Sequence, residues 1–233
     1  EIRIGMPRAL NMYSQAPMFT AYFEALGVKH RNLVFSDFTN EKLYKDGAKR
    51  GAIDPCFPSK LGIPHVHNLM AVHHKKKPLD IIFFPMIDCL TSPLINTQAR
   101  RSCPTVSTTP EAVKAAFTKE GDLFKEHGIK YLDTFINTSE PTHFTRQMYD
   151  EFKDLLGLSE AENQRAVDAG YEALRQYNED VLLGAGRDTL KELEEENRIG
   201  IVMLGRPYHN DPGCNHEILE EFQKIGYPVF TMD

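Results

Sequence analysis

The sequence of 233 residues contains no apolar run that approaches the ~20 residues of a membrane-spanning helix, so we expect a soluble protein with no membrane partner. Its hydrophobic content of 41% and its charged content of 26% are ordinary for a globular protein. The N-terminal stretch EIRIGMPRAL has neither the charged segment nor the apolar segment of a secretory signal, which predicts a cytoplasmic location. Because the first residue is not methionine, we also expect a processed chain or a piece of a longer one.

Cysteine is scarce, and its spacing argues against several kinds of site. The four cysteines, Cys56, Cys89, Cys103 and Cys214, form no CxxC pair. Zinc ribbons and ferredoxin-type clusters place cysteines a few residues apart, so neither is expected. A disulfide scaffold is not expected either in a chain of this size without a secretory signal. The sequence therefore predicts free thiols.

Motifs for nucleotide binding and for hydrolysis are also absent. There is no GxxxxGK[ST] loop, no GxGxxG after a strand, no GxSxG elbow and no HExxH. The charge pattern predicts no nucleic-acid partner, because residues 1–149 hold only 19 Lys and Arg against 14 Asp and Glu, without interleaved aromatic residues. Residues 150–197 hold 5 against 14 and form an acidic segment.

Hydrophobic runs predict an α/β protein with a parallel sheet. The run LDIIFFPMI, residues 79–87, is typical of a strand buried on both faces. Shorter strands are predicted at Ile2–Ile4 and at residues 32–36. The helical stretch between these two strands should end at Gly27, and Pro17 should start or kink its second part.

Two helix starts are predicted from capping residues. In TTPEAVKAAFTKE, Thr109 is the expected N-cap and Pro110 the first helical residue. Residues 142–197 are helical in pattern throughout, and Ser159 with Glu162 forms a capping-box signature within them.

The two ends of the chain repeat one pattern. A strand, the turn Gly5-Met6-Pro7-Arg8 and a helix ending in FEALG are echoed by a strand, Gly205-Arg206-Pro207 and a helix ending in FQKIG. Each is the opening βαβ unit of an α/β lobe. We therefore predict a Rossmann-like parallel-sheet lobe over residues 1–141, a helical connector over 142–197 and the truncated start of a second lobe over 198–233.

Two cysteines lie at corners where a helix is expected to follow. Cys56 lies between prolines in DPCFPSK, and Cys103 precedes a proline in RRSCPT. A helix N-terminus stabilises a thiolate, which suits a metal ligand, a cluster ligand or a reactive thiol. The alternative, a cysteine used as a small hydrophobic residue, remains open.

Cys89 follows the end of the predicted buried strand, where parallel α/β sheets bind ligands. Cys214 has His209 and His216 nearby, which raises zinc binding, although the spacing matches no standard zinc pattern. The stretch IPHVHNLMAVHHKKK invites a metal interpretation, but His65 and His67 would point to different faces of a helix.

The phrase GRPYHNDPGCN contains a group of polar residues with two interpretations. Arg206, His209, Asp211 and Asn215 could line a cleft. Alternatively, the phrase is a strand-to-helix turn in which Arg206, Asp211 and Asn215 satisfy backbone groups.

Several phrases in this order resemble a known family. They are IGMPRALNMY, DPCFPSK, IIFFPMID, RSCPTVSTTPEAVKAAF and GRPYHNDPGCNHEI. The chain resembles, over essentially its whole length, the domain attached to activase-type ATPases in CoA-substrate-specific enzyme activases. It is more distantly similar to the cluster-bearing subunits of 2-hydroxyacyl-CoA dehydratases and to double-cubane-cluster reductases.

The resemblance implies two Rossmann-like lobes that hold an iron–sulfur cluster, such as a [4Fe–4S] cluster, between them. It implies Cys56 and Cys103 as cluster ligands, Cys89 as a weaker candidate, and a further ligand beyond Asp233. The implied role is that of a redox module that accepts low-potential electrons from an activase-type ATPase domain or subunit, with an acyl-CoA substrate and a homodimer as further candidate partners. The fragment alone is expected to be inactive, and it could lack the cluster.

A second hypothesis is a non-catalytic α/β domain that docks an activase ATPase or binds a CoA-type ligand. It places function on the exposed surface around Arg100, Arg101 and Lys75 to Lys77. The two hypotheses differ in whether Cys56 and Cys103 converge.

Overall fold

The computed structural model describes residues 1–51, 54–92 and 100–232. Its eight described strands are all short and pair in parallel. They are β1 (Ile4–Met6), β2 (Leu33–Phe35), β3 (Ile81–Phe83), β4 (Met86–Cys89), β5 (Lys130–Leu132), β6 (Phe135–Asn137), β7 (Ile201–Met203) and β8 (Val229–Thr231).

Helices surround these strands over most of the described chain. The α-helices are α1 (Met12–Ala25), α2 (Glu41–Gly47), α3 (Phe57–Lys60), α4 (Gly62–Asn68), α5 (Pro104–Thr118), α6 (Leu123–Glu126), α7 (Pro141–Leu156), α8 (Glu160–Gln176), α9 (Gly184–Glu196), α10 (Pro212–Asn215) and α11 (Ile218–Lys224). π-Helical segments are Leu69–His74 and Tyr177–Leu183, and 3₁₀ segments are His30–Asn32, Ala48–Arg50 and Pro207–Asn210.

The central sheet has the strand order β2-β1-β3-β5. The residues of β1 and β3 are buried throughout, as expected for strands covered by helices on both faces. The chain thus forms the predicted α/β, Rossmann-like lobe. Parallel sheets of this kind bind ligands beyond the carboxyl ends of their strands.

The strand pair β4–β6 continues the pair β3–β5 after a short interruption. Phe84 donates its N–H to the carbonyl of Leu132 at 2.8 Å, and Met86 donates to that of Thr134 at 2.9 Å. Between them lies Pro85, which has no N–H to contribute to the ladder. The predicted run 79–87 is therefore one buried strand path that carries the chain from β3 to Cys89.

Helices α7 and α8 of the acidic segment pack against the lobe. Aromatic rings of α1, β3 and α7 meet in the core, with Phe23 5.5 Å from Phe83 and 5.3 Å from Phe152 between ring centroids. At the crossing of α1 and α8, a Cβ on Gly170 would lie 2.9 Å from the carbonyl oxygen of Met18. The two helices can approach this closely because that position has no side chain.

The predicted start of α5 is wrong. The helix begins at Pro104 with Cys103 as its N-cap, and Thr109 and Pro110 lie inside it. Hydroxyl groups of this first stretch bond to carbonyls four residues earlier, as from Thr109 to Thr105 at 2.7 Å. These bonds supply local partners around the position where Pro110 cannot donate.

Other predicted boundaries shift by a few residues. The first strand begins at Ile4 rather than Ile2, and α1 runs through Pro17 to end beside Gly27, whose φ of 88° suits glycine. The helical stretch after Cys56 is interrupted at Leu61, because Pro64 lacks the N–H that would bond to the carbonyl of Lys60.

The C-terminal residues form the predicted βαβ unit, in which β7 pairs in parallel with β8. The Ser159–Glu162 capping box is also present at the start of α8. The division of the chain at residues 141 and 197 stays a prediction. Within the described ranges, no helix is both long enough and apolar enough to span a membrane.

Candidate functional site

Cys56 and Cys103 both occupy the position immediately before a helix. Cys56 is the N-cap of α3, is exposed, and lies with its Sγ 3.5 Å from the hydroxyl of Ser59. Cys103 is the N-cap of α5, and α3 packs against α5. In each case a proline in the first helical turn, Pro58 or Pro104, replaces an N–H that the helix would leave unpaired.

The surroundings of Cys103 favour a thiolate. The backbone N–H of Val106 lowers the pKa of this thiol most, and the groups of Thr105 and the charge of Arg206 lower it further against the effect of burial. Helix N-terminal N–H groups and a guanidinium are the features that activate cysteine or prepare it for a metal. The predicted helix-terminal environment is therefore present at Cys103, although the helix starts six residues earlier than expected.

Tyr208 connects these cysteines to the C-terminal unit. Its side chain is only 8% exposed and belongs to the core. Burial raises its pKa most, and the charges of Cys103, Cys56 and Cys214 raise it further. Three of the four cysteines are thus electrostatic neighbours of one buried tyrosine, and we call Cys56, Cys103, Cys214 and Tyr208 the cysteine site.

Cys214, in α10, is the least acidic member of this site. Burial, the charge of Asp211 and the charge of Cys56 raise its pKa to about 11. Cys214 is therefore a neutral thiol at pH 7, beside an exposed Cys56.

The fourth cysteine, Cys89, is not a member of the cysteine site as defined here. It ends β4, where its backbone pairs with Arg101 and its carbonyl accepts from Thr138 at 3.0 Å. Its pKa is raised by burial and by Asp88.

The polar residues of GRPYHNDP mainly organise their own turn. His209 accepts the N–H of Arg206 at 2.9 Å, and Asn215 donates to the carbonyl of His209 at 3.0 Å. Asp211, 1% exposed, accepts the N–H of Gly213 at 3.1 Å. Arg206 has a second effect, because its charge also acts on the Cys103 thiol.

Asp211 also reaches out of its turn. It accepts a hydrogen bond from the hydroxyl of Thr39, which lies between β2 and α2. It adjoins Tyr13 in α1, whose pKa is raised by burial and by the Asp211 charge. Burial raises the pKa of Asp211 itself, while the bonds from Thr39 and Gly213 oppose that change. Neither Thr39 nor Tyr208 was predicted from the sequence, since a single threonine or tyrosine in a turn has no distinguishing pattern.

The donor set agrees in part with an iron–sulfur cluster. Cys56 and Cys103 bring thiol groups to adjacent helix N-termini, and cluster iron binds cysteine thiolates. Across the described ranges, however, no three His, Cys, Asp or Glu side chains are arranged to hold a metal ion. His216 stacks on Phe57 with centroids 6.0 Å apart, and zinc binding with Cys214 and His209 gains no support.

The surface around Arg100 and Arg101, named in the second hypothesis, makes contacts within the protein. Arg101 lies 3.7 Å from Asp88, and the carbonyl of Arg100 accepts the N–H of Leu90. Among the described residues, this surface shows no grouping that distinguishes a CoA-type ligand.

Comparisons with known proteins give one finding. No match was found among curated proteins or among solved structures. Residues 3–233 match the model of the family described as "CoA enzyme activase uncharacterised domain (DUF2229)". Because this match spans nearly the whole sequence, the chain belongs to that family of CoA enzyme activase domains.

Proposed function

We propose that this activase-type domain is a redox module that supplies Cys56 and Cys103 as ligands to an iron–sulfur cluster. The observation that carries the proposal is the pairing of these cysteines at the N-termini of two helices in contact, beside Tyr208. Helix N–H groups offset the charge of thiolates, and the same groups tune cluster potentials through hydrogen bonds. Cys89 is a weaker ligand candidate because it ends a strand instead of preceding a helix, and because burial and Asp88 raise its pKa.

The proposal assigns the cluster to an ATP-dependent activase system of the 2-hydroxyacyl-CoA dehydratase or reductase kind. When bound, the cluster would accept one low-potential electron from an activase-type ATPase. The chain's own contribution is to hold two thiolates and to place the Arg206 charge where it acts on Cys103. Two cysteines do not complete a four-thiolate set, so the proposal takes the remaining ligands from outside residues 1–233.

Anaerobic purification of the full-length natural protein that carries this sequence tests the proposal. Iron, acid-labile sulfide and visible absorption are measured in the wild type and in Cys56→Ala, Cys103→Ala and Cys89→Ala. Loss of iron and sulfide in the first two variants, with retention in the third, is expected. Cys89→Ala ranks the weaker ligand candidate in the same assay, since Cys89 is a thiol of the same lobe whose pKa is raised, whereas that of Cys103 is lowered.

Absence of iron and sulfide after reconstitution would overturn the proposal. The competing function, a non-catalytic domain that docks an activase ATPase or binds a CoA-type ligand, would then take its place. It is favoured by the lack of a complete metal-holding group within residues 1–51, 54–92 and 100–232. Pull-down of the ATPase by cluster-free wild-type protein and by Cys56→Ala/Cys103→Ala separates the two, since only docking is independent of both thiols.

A further inference from the structure

A histidine buried beneath the cysteine site has both ring nitrogens engaged. His65, in α4, is 0% exposed. Its Nδ1 lies 2.7 Å from the hydroxyl oxygen of Ser36, and its Nε2 lies 2.8 Å from that of Thr39. Ser36 follows β2 directly, so the imidazole lies beyond the carboxyl ends of the central strands, where parallel sheets place ligands and functional groups.

The direction of each hydrogen bond follows from the groups at the two ends of this series of hydrogen bonds, Asp211 and the backbone N–H of Arg8. At one end the Asp211 carboxylate can only accept a hydrogen bond, so the Thr39 hydroxyl group donates its proton to it. The Thr39 oxygen must then accept a hydrogen bond from the Nε2–H group of His65. At the other end the Ser36 hydroxyl oxygen accepts the backbone N–H of Arg8 at 2.7 Å. Its own proton is then free to go to His65 Nδ1.

One proton arrangement therefore satisfies every group: a neutral imidazole with its proton on Nε2. Burial, and to a lesser extent the Arg8 charge, lower the pKa of His65 to about 3 against the opposing charge of Asp37. We call Arg8, Ser36, His65, Thr39 and Asp211 the His65 relay.

The relay joins the segments that carry Cys56, Cys214 and Tyr208. His65 lies in the helical stretch that begins with Cys56 and α3. Asp211 caps α10, which holds Cys214, and it follows the 3₁₀ segment that holds Tyr208. A Cβ on Gly213 would lie 2.3 Å from Thr39 Cγ2 and 2.8 Å from the Thr39 carbonyl oxygen, so the C-terminal unit packs tightly at this contact.

We propose that His65, in its neutral Nε2–H form, is a positioning residue that fixes the Tyr208–Cys214 segment against the helix of Cys56. The assignment of a role in cluster binding rests on the proposed function, but the relay itself requires no cluster. His65 acts through Thr39 and Asp211 and touches none of the three cysteines of the site by a hydrogen bond.

Nitrogen NMR of the ¹⁵N-histidine-labelled full chain at pH 7 tests the proton arrangement. The wild type should show the Nε2–H tautomer for His65. In Asp211→Asn, the N–H of Gly213 holds the amide oxygen, so the NH₂ group must face Thr39 and donate to it. Thr39 then donates to Nε2, and His65 should change to the Nδ1–H tautomer. An imidazolium or Nδ1–H form in the wild type, or an unchanged tautomer in folded Asp211→Asn, would overturn the relay.

Cys214 alkylation measures the positioning role. Thr39→Val removes the hydroxyl and should raise the alkylation rate of half-buried Cys214 by about 5- to 30-fold, as the segment opens more often. Thr39→Ser keeps the hydroxyl and should restore the wild-type rate within about twofold. The matched control is Tyr22→Phe, which removes a buried hydrogen bond to Asn163 at the α1–α8 crossing. In this variant the alkylation rate of Cys214 should stay at the wild-type value. Equal rates in Thr39→Val and wild type, or equal acceleration in Tyr22→Phe, would refute the positioning role.

The iron measurement is independent of both readouts. If the tautomers are as expected but the full-length protein binds no iron, the His65 relay is supported and the proposed cluster is refuted. If the protein binds iron but His65 has a different tautomer, the proposed cluster is supported and the His65 relay is refuted.

Discussion

The hydroxyl group of Thr39 donates a hydrogen bond to the buried carboxylate of Asp211, and the two residues lie 172 positions apart in the sequence. Thr39 follows β2 of the central sheet, whereas Asp211 belongs to the βαβ unit of β7 and β8. A buried carboxylate needs such donors, because burial without them destabilises its charged form. This contact therefore connects the C-terminal unit to the lobe, because the Asp211 carboxylate accepts one hydrogen bond from its own unit and one from Thr39 of the lobe.

The first prediction concerns the close approach at this contact. Gly213→Ala should lower the free energy of unfolding by ~1–3 kcal/mol, because the added Cβ meets both the side chain and the backbone of Thr39. Gly186→Ala is the control: Gly186 lies in α9 with open space around it, so alanine should raise stability by ~0.5–1 kcal/mol. Urea unfolding measures both, and a Gly213→Ala protein as stable as the wild type would contradict the packing.

The second prediction is a pH dependence caused by His65. Its pKa in the folded chain is lowered to about 3, below the ordinary value of 6.5, so unfolding takes up a proton between these two pH values. Stability should therefore fall as the pH decreases from 6.5 toward 3, with a contribution of up to ~1.4 kcal/mol per pH unit.

His65→Gln isolates this contribution from that of the other titrating groups. The variant is expected to be less stable at every pH, but its unfolding free energy should decline less steeply than that of the wild type between pH 6 and pH 4. Urea titrations at intervals of half a pH unit measure the difference in slope. Parallel curves for the two proteins would show that His65 does not remain neutral in the folded state.

The sequence predicts the architecture well because the buried strand run and the repeated βαβ pattern are local signals. Residues 81–87, IIFFPMI, contain no polar residue at which a solvent-exposed face could lie, so a doubly covered strand is predicted. The start of α5 is mispredicted because two Pro-containing starts, at Pro104 and at Pro110, compete in one segment, and the sequence alone does not distinguish them.

The candidate site is likewise only partly predictable from the sequence. The corner positions of Cys56 and Cys103 follow from the prolines beside them, whereas the neighbourhood of Cys214 and Tyr208 depends on how the C-terminal unit packs. His65 illustrates the limit most clearly. The sequence gives no signal for its hydrogen bonds, because its partners Ser36 and Thr39 lie 29 and 26 positions away. No periodic pattern encodes such contacts.

The third prediction concerns the attachment of α8 to the lobe. Tyr22 donates its hydroxyl to Asn163 at 2.8 Å, and Asn163 is fully buried while it donates to the carbonyl of Thr145. Tyr22→Phe leaves the Asn163 oxygen without a donor, so the free energy of unfolding should fall by ~1–3 kcal/mol. Tyr227→Phe, at a 39% exposed tyrosine, should change stability by less than ~0.5 kcal/mol. Equal stabilities of the two variants in urea would contradict a structural role for this bond.

The fourth prediction ranks the thiols by acidity in cluster-free protein. The pKa of Cys103 is lowered, chiefly by the N–H of Val106, whereas burial and Asp88 raise that of Cys89. The two side chains are both partly exposed, so access affects them similarly. At pH 7, iodoacetamide should modify Cys103 faster than Cys89, because only the thiolate reacts. Quantitative peptide mass spectrometry after timed quenching gives both rates from one sample.

Raising the pH separates acidity from access in the same experiment. As the pH increases from 7 to 9.5, the thiolate fraction of Cys89 should still be growing, whereas that of Cys103 should approach its limit. The ratio of the two rates should therefore shrink toward one. A ratio that stays constant with pH would mean that exposure rather than the helix N-terminus controls Cys103, and it would remove the electrostatic argument for Cys103 as a cluster ligand.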